Sequence, residues 1–359
     1  MKPKIPLSRK QFLQGMAAAA GGLTLASLNR ALGQVNNSVY LPLVIKPVQP
    51  TATNTPIPVP TLPPGSARVV HIRSESATNW SGQTAYWDYA NQAKITEMVN
   101  TGMLTLTNTS TIADAWRAIL PNYQAGQKIA IKVSFNNSES CSNNTAIDGI
   151  AEPINAIVAG LEAMGVAKSN IFVYDASRAI PPRFSGILVS GVNLRDNGSC
   201  HTPSGSSNHA INFLNGGVTD ELVAATLYDA NYLINVPIMK PHPIAGVSLG
   251  YKNHFGTIDN PGGLHGWIAP STSASYNPLV DFFRDAHIGG KTVVTIGDGI
   301  FAARGFNTPP QNWDTFGNKL PHSLFFSKDP VAVDCVMHDF VNREGEDSQW
   351  FTVPTGSNR

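Results

Sequence analysis

The feature that most constrains this chain is a succession of short β-branched runs and helical periods, which begins near Ala67 and continues to about Val341. Residues 128–134 alternate strictly, with Ile129, Ile131 and Val133 opposing Ala130, Lys132 and Ser134, the two-residue period of a strand. Further strands are expected over 67–72, 171–174, 232–239, 292–296 and 323–326, and helical spacing over 112–120, 152–164 and 331–341. This order predicts an α/β domain over 67–342, with a mixed or mostly parallel, Rossmann-like sheet and crossover helices. Residues 180–217, rich in Gly, Ser and Asn, read as a long irregular insertion.

Ahead of the domain lie two segments of different character. Residues 1–33 read as an export signal: Lys2, Lys4, Arg9 and Lys10 form a charged region, 12–28 is weakly apolar, and Ala31-Leu32-Gly33 offers a small-residue cleavage site. The stretch Ser8-Arg9-Lys10-Gln11-Phe12-Leu13 resembles a twin-arginine translocation signal with Lys in place of the second Arg, so both that route and general secretion stay open. The expected partner there is the export machinery, and an uncleaved signal would be the chain's one membrane contact. Residues 34–66 form a Pro/Thr-rich linker, in which PVQPTATNTPIPVPTLPPG favours polyproline II and lacks the apolar surface to fold. An extracytoplasmic location, at the cell surface or in the periplasm, follows as the expectation. Residues 343–359 are polar and aperiodic and read as a tail.

Lys plus Arg (25) nearly balances Asp plus Glu (24), and no basic stripe carries interleaved aromatics, which argues against a nucleic-acid partner. A small-molecule ligand is expected instead. No CxxC, GxGxxG or P-loop occurs, so neither an iron–sulfur cluster nor a nucleotide has a motif here, and any cofactor is left unknown. Cys141 and Cys200 lie in polar loops and form a candidate disulfide for an oxidising compartment, whereas Cys335, in an apolar helical pattern, reads as a buried small residue.

Several strands end in polar residues: Lys132 with Asn136, Asp175 with Ser177, Lys240 with His242, and Asp298 with Gly299. Ligands of open α/β sheets bind beyond the carboxyl ends of strands, so these groups would converge on one crevice. Taken singly, each reads more simply as a strand-end residue that is solvated or satisfies a nearby turn. The densest segment, MKPHPIAGVSLGYKNHFG over 239–256, is expected to leave its strand through Pro241 and Pro243 and to form a helix over 245–255, amino end toward the crevice. Lys240 and Lys252 would bind a carboxylate or phosphate, with Asn253 beside them and His242 as acid/base. Asp298 or Asp334 would orient a lysine or a metal, and Asp334, among apolar neighbours, must either be partnered or face the crevice.

Two other chemistries share these residues. Gly246-Val247-Ser248-Leu249-Gly250 matches the G-x-S-x-G pattern, and Asp298 then His322 follow in triad order. A Ser248 hydrolase is the less favoured reading, because two prolines separate the serine from the strand. His242 and His254 are candidate zinc or nickel ligands.

On these residues the chain resembles the bacterial and archaeal family called domain of unknown function 362. The matching pieces are Lys132-Val-Ser-Phe-Asn136, the GLEAMGV and VYDAS stretches, Asn235 through the KNHFG motif, Ile296-Gly-Asp-Gly299 and the DPVAVD motif ending at Asp334. The resemblance implies that Lys132, Asn136, Lys240, Lys252, Asn253, Asp298 and Asp334 belong to one site, without implying an activity. A looser similarity to lactate-racemase-type α/β proteins concerns the fold. The expected function is therefore that of an exported enzyme acting on a small anion, with a non-catalytic solute-binding or surface recognition protein as the main alternative and a redox accessory protein, which lacks its cysteine cluster here, as a third.

Overall fold

The computed structural model of the protein describes residues 43–45, 67–269 and 276–348. The expected export signal, the proline-rich run and residues 349–359 lie outside the described residues. The strands, in chain order, are β1 (Leu43–Ile45), β2 (Val70–Arg73), β3 (Ile129–Lys132), β4 (Ile171–Tyr174), β5 (Asn193–Arg195), β6 (Ser206–Ala210), β7 (Leu222–Ala224), β8 (Tyr232–Asn235), β9 (Lys240–His242), β10 (Gly246–Ser248), β11 (Thr292–Gly299) and β12 (Ser323–Ser327). The helices that position the site are α1 (Gln92–Thr107), α2 (Ile112–Ile119), α3 (Ala151–Ala163), α4 (Gly250–Asn253), α5 (Leu279–Arg284) and α6 (Pro330–Ser348).

One sheet runs in the order β1-β2-β12-β11-β8-β3-β4-β5. It is parallel from β11 through β8, β3 and β4 to β5, while β12 is antiparallel to both β11 and β2. The pleat of β3 sorts its side chains as the alternation predicts. Ile129, Ile131 and Val133 enter the core beneath α1, α2 and α3, and Ala130 enters a second core on the opposite face. Lys132, two residues from Ala130, belongs to that second face. Because β3 continues through α3 to β4 on one side and has β8 on the other, the chain reverses its winding between β3 and β8, the switch point at which α/β sheets open a crevice.

Helix α1 carries four threonines, an asparagine and a glycine, a composition of modest helix propensity, and the sequence gives it no clear signal. Packing supplies what propensity lacks: Ile95, Met98, Val99, Met103 and Leu106 are buried, Asn91 caps the first turn, and Gly102 lets the ring of Phe326 lie against the helix backbone. The strand expected over 232–239 ends at Asn235, since Pro237 has no N–H to give a ladder. Helix α6 runs to Ser348, past the expected start of the polar tail, because buried Glu344 pairs with Arg304 at 2.7 Å and accepts the N–H groups of Asp314 and Thr315. The expected irregular stretch 180–217 contains β5 at the sheet edge and β6, which pairs antiparallel with β7. Cys335 is half-buried rather than buried.

Cys141 and Cys200 form a disulfide with Cα atoms 5.0 Å apart, tying the loop after β3 to the loop after β5. Closing a loop of 59 residues constrains the unfolded chain strongly. Replacing both cysteines with serine is expected to lower unfolding free energy by about 2–4 kcal/mol, read as a lower denaturation midpoint that reductant reproduces in the wild type.

Candidate functional site

The crevice at the carboxyl ends of β3, β4 and β8 is built from a chain of buried hydrogen bonds. Lys132 ends β3 with its ammonium fully committed: it donates to the carbonyl of Val133, to Asp175 Oδ2 at 3.0 Å and to Asn253 Oδ1 at 3.1 Å. Asp175, just beyond β4, accepts in addition from the Phe135 N–H and, through Oδ1, from the N–H and hydroxyl of Ser177. Asn253 passes the chain on by donating to Asn235 Oδ1 at 2.7 Å, and Asn235 donates to the carbonyl of Gly250 at 3.0 Å. A Cβ on Gly256 would collide with Lys132 Nζ and Asp175 Oδ1, so only glycine lets the backbone pass the pair this closely. Burial pushes the Lys132 amine below its ordinary value, and the charge and hydrogen bond of Asp175 oppose that.

Residues 239–256 do not form the expected long helix. β9 and β10 make an antiparallel hairpin in which Ser248 faces Lys240, with Gly246 at φ 81° and the prolines 241 and 243 in or beside the first strand. His242 organises the turn: its Nδ1 accepts the N–H groups of Ile244 and Ala245, each at 3.1 Å. A single helical turn, α4, follows, and the anion on its amino end is Asp334, which accepts the N–H groups of Gly250 at 2.7 Å and Tyr251 at 2.9 Å. Burial raises Asp334 to about 7 despite those two bonds. Asp334 is therefore a fastening between α6 and α4 rather than a ligand contact. Asp334→Ala, which strips two buried N–H groups of their acceptor, is expected to cost about 2–4 kcal/mol, and Asp334→Asn, which keeps one oxygen, clearly less; urea denaturation measures both.

The cavity has a volume of about 80 Å³. A water needs roughly 10–15 Å³ of such space, so it suits one small organic anion. Lys132, Asn136, Asp175, Ser177, His242 and Asn253 line it, as does Ser248, and so does Lys252. Lys252 differs from every other cation nearby. It is 7% exposed, and among the described residues its ammonium has no hydrogen bond and no ion pair; it lies over the ring of Phe255, 3.4 Å from the centroid. Burial drives its amine well below the ordinary value of 10.5, and the charges of Arg178, Lys240 and Lys132 push the same way against Asp175. Two further groups on the wall, Asn136 Nδ2 and Ser248 Oγ, are enclosed without a partner among the described residues.

Four expected site residues sit elsewhere. Lys240 is completely buried behind the wall, donating to the carbonyl of Phe306 at 3.0 Å, and burial lowers it to about 8. It shapes the field of the cavity without touching it. Asp298 accepts the N–H groups of Ile300 and Ile150 at the end of β11, and burial raises it to about 7. His254 is buried against Phe283, with Nδ1 3.2 Å from Thr257 Oγ1, and does not join His242 on the cavity; no cluster of three metal-ligating side chains occurs among the described residues. The fourth is Asp334. The serine triad is not assembled among the described residues either: Ser248 Oγ has no partner there, and His322 stands among Arg73, Glu75 and Lys319. His242 is unsuited to general-base work, because burial, followed by the charges of Lys252, His265 and Lys240, holds it down to about 3 while its Nδ1 lone pair is spent on the turn.

Arg178, His265 and Phe306 also line the cavity and were not among the residues expected there. Arg178, directly after Ser177, donates to the carbonyls of Asn136 and Ser177 and has no carboxylate partner among the described residues. Its place at the end of β4 was the available signal. His265 lies in the Gly-rich 3-10 helix Pro261–Trp267 and stacks near His242 with ring centroids 5.9 Å apart. Phe306 carried no signal, since only the fold brings it against His242 and Lys240.

No curated protein matches the chain. Two solved structures are similar in part: the lactate racemase apoprotein from Thermoanaerobacterium thermosaccharolyticum, at 15% identity and a TM-score of 0.44 over 69% of this chain and 55% of that one, and a protein from Thermotoga maritima, at 10% identity and a TM-score of 0.40 over 75% and 61%. The chain thus spans little more than half of the length of either. The profile described as Domain of unknown function (DUF362) matches residues 129–339, more than half of the chain, and takes in β3, the hairpin, the KNHFG motif and most of α6: the chain belongs to that family.

Proposed function

We propose that the protein is an enzyme that binds a small organic anion in this crevice and acts on it through the amine of Lys252. One observation carries the reading: a buried, unpaired lysine faces a cavity whose other lysine is saturated with protein acceptors. Arg178 supplies a further cation, and the enclosed Asn136 Nδ2 and Ser248 Oγ supply groups for a polar ligand to meet. We further propose that it works outside the cytoplasm, a reading supported by the signal-like amino terminus, the proline-rich linker and the Cys141–Cys200 bridge.

Calorimetric titration of the full chain with pyruvate, lactate and phosphate, in buffers of different ionisation enthalpy, tests the site. An anion beside Lys252 favours its charged form, so binding above the free amine's pKa should take up as much as one proton per anion, and Lys252→Met should abolish that uptake. Binding that is absent, or indifferent to Lys252→Met, contradicts the proposal. Binding with normal proton uptake but no chemical change in any of the three anions would favour the solute-binding alternative.

A further inference from the structure

We propose that Lys252 is an imine-forming nucleophile and that the crevice takes a small 2-oxo acid, with its carboxylate on Arg178 and its carbonyl carbon at Lys252 Nζ. This rests on the anion-site reading above and names the substrate class. Geometry singles out Lys252. Lys132 spends all three donors on the protein, Lys240 is sealed behind Phe306, and Arg178 cannot act as a nucleophile. Among the described lysines, Lys252 alone presents an uncommitted amine to the cavity, and its cationic and apolar surroundings favour the neutral amine that attack requires.

The two histidines on the wall fit the same chemistry through their tautomers. His242 Nδ1 accepts two backbone N–H groups, so the ring proton sits on Nε2. Held neutral, this ring offers an N–H that can polarise a carbonyl oxygen without being an acid. His265 has the opposite tautomer: its Nδ1 donates to the carbonyl of Gly262 at 3.3 Å, which leaves the Nε2 lone pair as an acceptor. A donor and an acceptor on nearly parallel rings, 22° apart, match an oxygen that begins as a carbonyl and becomes a hydroxyl. The cavity of about 80 Å³ sets the size at a three- or four-carbon acid rather than a sugar phosphate.

The step balances without an oxidant or reductant. The Lys252 nitrogen lone pair forms the C–N bond while the carbonyl π pair moves to oxygen, and one N–H proton passes to that oxygen to give a carbinolamine. Loss of the hydroxyl together with the second N–H proton then releases one water and leaves the C=N bond.

Incubating the full chain with pyruvate and sodium cyanoborohydride, followed by peptide mapping, tests the inference. Reduction should place on Lys252 a secondary amine, heavier by pyruvic acid less one oxygen, at a rate at least about tenfold above the exposed Lys328 and Lys319, since each unit of lowered pKa frees tenfold more amine. Lys252→Arg, which keeps the charge, should remove it; should that variant fail to fold, the wild-type map decides alone. Labelling of Lys252 no faster than Lys328, with pyruvate still bound in calorimetry, overturns the imine and leaves the anion site standing. Absence of both binding and adduct overturns both.

Discussion

Asp175→Ala is expected to lower unfolding free energy by about 3–5 kcal/mol, the cost of leaving a buried charge without its partner. Lys132 and Asp175 are 1% and 4% exposed at the side chain, and the pair is the junction at which β3, β4 and the segment after α4 meet. Without Asp175, burial acts on Lys132 unopposed and the folded amine falls further below 10.5. The sign of the pH dependence follows. Between that lowered value and 10.5 the unfolded chain binds more protons than the folded one, so the variant's stability should climb as pH rises through this window. Urea denaturation at two pH values reads both effects. The double variant Asp175→Ala, Lys132→Met should recover part of the loss, because it removes the stranded charge as well.

Lys252→Met should weaken anion binding by about ten- to a hundredfold, the worth of a hydrogen bond to a charged group. Stability should move the other way. Met retains the apolar stem over Phe255 and sheds an amine that burial and three neighbouring cations disfavour, so unfolding free energy should hold or rise. A residue that is lost to binding and gained in stability when removed carries function rather than fold. Paired calorimetry and denaturation on one variant separate the two roles.

The contrast between these variants explains how much the sequence revealed. The β3 alternation, the ends of β4 and the span of α3 were legible because burial on two faces imposes a period, and the switch point follows from strand order. The crevice was legible as a set of polar strand ends. Which of those polar groups serve the fold was not, since Asp334, Asn253 and Asp298 look in sequence like ligand contacts and spend their bonds within the protein, Asp334 and Asn253 on distant segments and Asp298 on Ile300 beside it and on Ile150. Sequence distance hid the partners: Asp334 meets Gly250 across 84 positions and Lys132 meets Asn253 across 121. The hairpin escaped for a local reason, because His242 caps its own turn and Gly246 adopts a left-handed φ, two features that a helical spacing over 245–255 conceals. The KNHFG motif is accordingly a buried frame in which Asn253 and Gly256 hold the Lys132–Asp175 pair and Lys252 is left over for the cavity.

Competitive labelling of all lysines across pH, resolved by peptide, tests this central claim most directly. Lys252 should react with a midpoint well below 10.5, and that midpoint should rise when lactate or phosphate is bound. A Lys252 that titrates at the ordinary lysine value, or one whose midpoint ignores both anions, would contradict the account.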